Sequence, residues 1–288
     1  MAAFLSYPEY ILSSEEKKNL GFISKLYFLI ISIITIIIEK YTNYKLFTVL
    51  INLILQKEVK LSYFDGFYSA NQNDLIFYYP NKRVTRMLNG IEEQSEKIFK
   101  EYSLDKIIFQ EGDLIIDCGA NTGELYLHLS KILPYFDYVA FEPDPVVFEC
   151  LNKNIPSKAL YLKSEALSDT TQEKSFFILS ENADSSLEYT GNGEKVTINS
   201  VRLDDLGYMN IKLLKIDAEG HELETLMGAK RTLKRIEYIS VDFGPEKGIN
   251  FERTLPQVSN YLYENNFKMV YANSPRDTGL FINKDFLK

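Results

Sequence analysis

Three short clusters hold the residues whose types and spacing suit chemistry. The run Asp117-Cys118-Gly119-Ala120-Asn121-Thr122-Gly123 follows an apolar stretch and opens a helical pattern. Gly119 and Gly123 lack a Cβ, so the backbone there can turn sharply and let a ligand approach. Amides at the start of the next helix would receive an anionic group such as a carboxylate. The second cluster, Glu142-Pro143-Asp144, starts 25 residues beyond Asp117. An acid ending the second strand is where a ribose diol is held by two hydrogen bonds, and Glu142 suits that role. Asp144 either joins it or caps the helix that starts at Pro145. The third cluster sets Asp217, Glu219 and His221 within five residues. These groups suit an acceptor that must be held and deprotonated. A positioned base contributes about 10² to 10⁴ in rate, and imidazole titrates nearest neutrality. The same residues also have structural readings: a hydrogen bond at the turn for His221, and a favourable helix-start charge for Glu219.

These clusters need a scaffold that brings distant positions to one edge. From Asp113 onward, short apolar runs alternate with helical patterns, which predicts an α/β fold with a mostly parallel sheet and helices on both faces. Strands are expected at 114–117, 138–142, 160–163, 213–217, 238–242, 269–272 and 279–282, and helices at about 123–133, 145–154, 221–234 and 254–265. The chemical clusters then fall at carboxyl ends of strands, where open α/β sheets bind ligands. The polar stretch 180–194, with Gly191 and Gly193, reads equally as a lid or as a solvated loop. Upstream, 91–102 has the spacing of an amphipathic helix, 61–105 carries the turn residues of a short hairpin, and 1–60 is helical in pattern and rich in Ile.

A glycine turn followed by a strand-end acid serves both a nicotinamide dinucleotide and S-adenosylmethionine. The dinucleotide fingerprint G-x-G-x-x-G uses its second glycine to approach the pyrophosphate. Asn121 stands at that position. S-adenosylmethionine has no pyrophosphate, so the run favours it. The expected cofactor contacts are Asp117, Gly119, Ala120, Asn121, Gly123, Glu142, Asp144 and Asp217, with Glu165 and Ala166 bordering the adenine.

The segment Leu214-Lys215-Ile216-Asp217-Ala218-Glu219-Gly220-His221-Glu222-Leu223-Glu224 closely resembles the most diagnostic stretch of the FkbM family of methyltransferases. The glycine turn, Glu142, Glu165-Ala166-Leu167-Ser168-Asp169 and Leu203-Asp204-Asp205-Leu206 resemble it in the same order, and the likeness covers about residues 90–283. The resemblance implies a class I, Rossmann-like fold with a seven-stranded sheet. It also implies S-adenosylmethionine as cofactor and methyl transfer to a hydroxyl of a sugar, glycan or small metabolite. On this reading, 1–60 is an N-terminal hydrophobic helical extension and 61–288 is the methyltransferase domain, with a cofactor-binding core at 106–288. The rival readings are a NAD-type dehydrogenase on the same fold and a non-catalytic scaffold that binds S-adenosylmethionine. Retention of Asp217, Glu219 and His221 favours catalysis over the scaffold.

The bulk composition narrows the partners. A formal net charge of -8 offers no electrostatic footprint for nucleic acid. Cys118 and Cys150, the only cysteines, fall in apolar stretches and read as reduced core thiols of a cytoplasmic protein. With His128, read as packing, and His221 as the only histidines, a His/Cys zinc site lacks ligands. No metal is expected; were a divalent cation used, Asp217 and Asp242 are the carboxylates best placed for it. The apolar run 26–38 is 13 residues, short of the roughly 20 that span a bilayer. Residues 21–55 therefore read either as a packed helical pair, on this chain or on a second subunit of a homo-oligomer, or as a peripheral membrane contact. Membrane contact would fit a lipid-linked sugar acceptor.

Overall fold

The computed structural model describes residues 8, 10–11, 21–155, 160–178, 185–188 and 193–287. The chain divides into two compact units, residues 1–94 and 95–288.

In the first unit, helices α1 (Phe22–Tyr41) and α2 (Tyr44–Leu55) precede an antiparallel meander of β1 (Lys60–Phe64), β2 (Phe67–Gln72) and β3 (Leu75–Tyr79). Two-residue turns close both hairpins. Asp65 and Gly66 both take positive φ, the backbone twist that a tight hairpin requires, and Asn73 does so in the second turn. The buried face of α2 carries Phe47, Thr48 and Ile51, and the Phe47 ring meets Tyr68 of β2 edge-on at 5.8 Å. The Asn52 amide fixes α2 to β1, donating to Leu61 O at 2.8 Å and accepting from Leu61 N at 2.9 Å. Helix α1 is 20 residues long, so its length exceeds the 13-residue apolar run read from the sequence. A helix ends where its backbone bonds end, here at Thr42, and not where its apolar residues stop.

Helix α3 (Ile91–Glu101) crosses from the first unit into the second. The second unit is built on β4 (Leu114–Cys118), α4 (Glu124–Ile132), β5 (Asp137–Phe141), α5 (Pro145–Asn154) and β6 (Leu160–Lys163). A small sheet follows, with β7 (Ala166–Leu167) beside β9 (Glu194–Val201) and β8 (Gln172–Ile178) on its other side. The main sheet then resumes with β10 (Ile211–Ile216), α6 (Glu222–Met227) and β11 (Ile236–Asp242). The short pair β12 (Pro245–Lys247) and β13 (Glu252–Arg253) precedes α7 (Leu255–Glu264), β14 (Phe267–Asn273) and β15 (Thr278–Asn283).

The seven-stranded sheet has the order β14-β15-β11-β10-β4-β5-β6, parallel except for β15, which is antiparallel to both β11 and β14. This is the class I methyltransferase sheet. One face buries Ile116, Val139, Phe141 and Ile216 with Leu226, Val258 and Leu262, and the other buries Ile115, Tyr138 and Leu213 with Leu125, Leu129 and Leu151. The alternation along each strand thus supports helices on both faces. Strand order reverses between β4 and β10, which opens a crevice at their carboxyl ends.

All seven expected strands form. The helix expected at 221–234 does not: α6 stops at Met227, and a separate 3-10 turn spans Thr232–Arg235. Asp204 breaks it: its amide donates to Gly228 O at 3.0 Å, and its carboxylate draws Arg231 N and Thr232 N to itself at 2.9 and 2.8 Å. Strands β8 and β9 flank the stretch read as a lid or loop. Residues 185–188 and 193–194 of that stretch are described, and the rest of it lies outside the described residues.

Candidate active site

The turn after β4 is bound to the end of β5. Gly119 N and Ala120 N both donate to Phe141 O, at 2.9 and 3.0 Å. Gly119 has φ +73°, and a Cβ there would lie 1.9 Å from Asp217 O, so only glycine lets the ends of β4 and β10 approach this closely. Asn121 and Gly123 also take positive φ before α4 begins. Glu142, just past β5, closes the turn from the other side. One of its carboxylate oxygens accepts from Asn121 N at 2.9 Å and the other from Asp144 N at 2.9 Å. A carboxylate has about four lone-pair sites, so each oxygen retains one for a hydroxyl donor such as a vicinal diol. Burial pushes the Glu142 carboxyl up to about 8, against the two backbone hydrogen bonds that favour its charge. Asp144 caps α5, accepting from Val146 N at 3.0 Å and Val147 N at 3.2 Å.

Beneath this turn lies a buried charge network. Lys215 faces Asp117 across β10 and β4, with Nζ 3.1 Å from the carboxylate and 2.7 Å from Gly119 O. Burial works against the Lys215 charge, but Asp117 and Asp217 outweigh it and hold its pKa above the usual lysine value. The Tyr138 hydroxyl donates to the other Asp117 oxygen. At the end of β10, Asp217 accepts from Tyr102 OH and from Arg276 at 3.3 Å. Arg276 also donates through Nε to Asp242 at 3.0 Å. The acidic pair expected from Asp217 and Asp242 therefore forms, with a guanidinium and a phenol between the two carboxylates. Burial and the Asp217 charge raise Asp242 to about 6, against the lowering influence of Arg276.

The loop after β10 is held by Glu222, whose carboxylate accepts from Ala218 N at 3.2 Å and Gly220 N at 2.9 Å. Burial lifts Glu222 to about 7. His221 is buried, with Nε2 2.9 Å from Ser168 Oγ and Nδ1 3.1 Å from Glu188. The His221 hydrogen bond, against burial, keeps the Glu188 carboxyl below its usual range. Residues 185–188 form one wall of the site and are tied to three of its groups. Ser185 donates to Asp144 at 3.0 Å, Ser186 donates to Glu219 O at 2.6 Å, and Glu188 meets His221.

Together these elements line a cleft at the carboxyl ends of β4 and β10. Of the expected residues, Gly119, Asn121, Glu142, Asp144, Ala166, Asp217, Glu219 and His221 line it. Asp117, Ala120, Gly123 and Glu165 do not. Asp117 is drawn away to Lys215 and Tyr138, Ala120 belongs to the buried core, and Gly123 lies over Ile155 and Leu151, where a Cβ would come within 3.1 Å of both. Among the described lining residues are four acidic side chains, Glu142, Asp144, Asp217 and Glu219, the first of them ionised only as pH rises through about 8, and neither lysine nor arginine. Such a cleft suits a cationic ligand and disfavours a pyrophosphate. Val147, Ala166, Leu167 and Phe176 supply its apolar walls.

Tyr102, Tyr138, Lys215, Glu222 and Arg276 were not singled out from the sequence. Only Lys215 left a legible trace, as one cation inside the apolar run Leu213-Leu214-Lys215-Ile216. A buried lysine requires a partner.

Comparison with known proteins agrees with this geometry. The chain is 25% identical over 215 residues to the methyltransferase sdnD of Sordaria araneosa, covering 61% of this chain and 81% of that protein. It is 28% identical over 139 residues to the hexuronic acid methyltransferase AglP of Haloferax volcanii, covering 46% of this chain and 56% of AglP, little more than half its length. It is 20% identical over 188 residues to the 2-O-methyltransferase NoeI of Sinorhizobium fredii, covering 58% and 77%. The methyltransferase FkbM domain matches residues 117–269, from the first acid of the glycine turn into β14. That span exceeds half of the chain and takes in every wall of the cleft, and with the sheet order and the acidic lining it sets the dehydrogenase reading aside: the chain belongs to the FkbM family of methyltransferases.

Proposed function

We propose that this methyltransferase binds S-adenosylmethionine in the cleft above β4 and β10 and transfers its methyl group to a hydroxyl of a sugar or small metabolite. The observation that carries this reading is Glu142, a buried carboxylate at the cleft wall with acceptor capacity left for the ribose diol. The acidic lining suits the sulfonium and ammonium charges, the Gly119 bend would support the amino-acid end, and Ala166 and Leu167 would border the adenine. When bound, the cofactor supplies an electrophilic methyl carbon. The sugar-type acceptor is supported by the name of one relative, a hexuronic acid methyltransferase, and transfer to oxygen by that of another, a 2-O-methyltransferase.

In this reading the protein's own groups position the acceptor and take its proton. Asp217 and Glu219 line the cleft and would accept hydrogen bonds from acceptor hydroxyls. His221 is assigned as base. Glu188 accepts from Nδ1 and so keeps the proton there, which leaves Nε2 as the basic nitrogen, with a hydroxyl, Ser168 Oγ, already within hydrogen-bond distance. Orientation of the acceptor oxygen against the methyl carbon would lower the barrier by roughly 7–11 kcal/mol in a near-attack geometry.

The test has two stages. S-adenosylhomocysteine at 100 times its dissociation constant is expected to stabilise the protein by about 2.7 kcal/mol in a thermal melt. Labelled S-adenosylmethionine supplied with hexuronic acids, other sugars and small hydroxylated metabolites is then expected to yield a product heavier by one methyl group. No shift with S-adenosylhomocysteine overturns the cofactor assignment; binding without transfer to any acceptor supports the scaffold reading instead.

A further inference from the structure

We infer that α1 is seated in the hydrocarbon of a phospholipid bilayer and holds the first unit at a membrane. This does not rest on the catalytic reading above.

The hydroxyl residues of α1 are turned inward, whereas most of its isoleucines are exposed. Its inward stripe carries Ser32, Thr35 and Ile38, which are 4%, 0% and 7% exposed. Its outward half carries Ile23, Ile30, Ile33, Ile34 and Ile37, with Ile23 83% exposed and the other four between 38% and 51%. At 3.6 residues per turn, the exposed apolar positions cover about half of the circumference. A soluble helix buries its apolar stripe and shows its polar one. An apolar surface this continuous marks a contact site.

Three further features select lipid as the occupant. First, 20 residues at about 1.5 Å each give roughly 30 Å, the thickness of a bilayer hydrocarbon core. Residues 26–38 contain no charge, and the nearest cations, Lys25 and Lys40, sit exposed near the two ends, where long side chains reach the headgroups. Second, the polar groups of α1 are satisfied internally, as hydrocarbon requires. Ser32 donates to Phe28 O at 2.7 Å and Thr35 to Ser32 O at 2.9 Å, and Lys82 donates to Glu39 O and to Thr42 O at the carboxyl end. Third, Tyr41 and Tyr44, 73% and 58% exposed, both sit at that same end, where amphipathic rings favour the membrane interface. A second copy of the chain would cover a strip along one side of the helix; a fluid solvent of acyl chains covers half its circumference.

The experiment uses the full chain, purified in mild detergent and mixed with phosphatidylcholine vesicles, which carry no net charge. The protein is expected to float with the vesicles in low salt and equally at about 1 M salt, where the Debye length falls to about 3 Å. The variant Ile30→Gln, Ile33→Gln, Ile37→Gln changes only exposed positions and is expected to lose at least about tenfold in bound fraction. As a second measurement, a fluorophore on Ile34→Cys is expected to be quenched by acyl-chain spin labels and shielded from iodide only when vesicles are present. Cys118 and Cys150 are buried and leave that label unique among the reactive thiols. A full chain that stays with the dense fraction, a triple variant that floats as well, or a label open to iodide in vesicles overturns the inference. So does a discrete dimer whose label is shielded without lipid, which would assign the face to a second copy.

Discussion

Lys215 and Asp117 stand directly opposite one another on adjacent parallel strands, 3.1 Å apart and almost wholly buried, with the same ammonium 2.7 Å from Gly119 O. The pair thereby ties the glycine turn after β4 to the core of the sheet. Breaking a buried pair from one side leaves an uncompensated charge, which costs about 3–5 kcal/mol. Lys215→Met is expected to lose stability of that order in urea denaturation and to weaken S-adenosylhomocysteine binding as the turn loosens. Lys215→Met with Asp117→Asn is expected to recover part of the stability, because the orphaned carboxylate is then gone.

In the proposed reading, Glu142 links cofactor affinity to pH. Its pKa in the folded protein, about 8, lies above the ordinary value of 4.5. The folded protein therefore holds a proton that the unfolded chain has lost, and this group's contribution to stability falls as pH rises from about 4.5 through 8. Ribose hydroxyls donate best to the ionised form, so affinity for S-adenosylhomocysteine is expected to rise from pH 6.5 to 8.5 in calorimetric titration. Glu142→Gln is expected to remove that slope and weaken binding by roughly tenfold or more, the worth of a hydrogen bond to a charged group.

Arg276 bridges the two acids at the ends of β10 and β11. Asp242 already titrates near 6, above its ordinary 3.8, so its contribution to stability falls as pH rises through that interval and is level above it. Arg276→Met removes the nearby positive charge and moves the folded-state pKa of Asp242 still higher, which extends the fall to higher pH. The loss in melting temperature relative to the parent protein is expected to be small near pH 5 and larger near pH 8. An equal loss at both would mean that Arg276 acts through packing alone.

His221 and Glu188 separate catalysis from wall-building. His221→Ala is expected to lower kcat by about 10²–10⁴, the range for a positioned base, with little change in cofactor affinity. Glu188→Gln is expected to lower kcat by less, because Nδ1 keeps a hydrogen-bond acceptor but loses a charged partner. If the two substitutions instead give equal kcat losses, His221 serves to fasten residues 185–188.

Much of this protein was decided locally and is legible in its residues. The seven strands could be placed because apolar runs between turn residues are a property of neighbours in sequence. The acid after β5 and the glycine turn after β4 could be paired because a parallel sheet aligns the ends of successive strands. Tertiary structure decided what local pattern cannot carry. Arg276 reaches Tyr102 from 174 residues away and so enters the site only when β15 inserts antiparallel beside β11. Asp117 reads as a ligand-facing acid but points to Lys215, because alternate residues of a strand take opposite faces and the pleat assigns the two to the same one. Helix α6 ends early because Gly228 O and the amides of Arg231 and Thr232 bond to Asp204, a contact between segments that are distant in sequence. Residue types and periodicity determined the sheet and the chemistry at its edge; which side chains meet there follows from strand order and from burial, which forces every enclosed charge to find a partner.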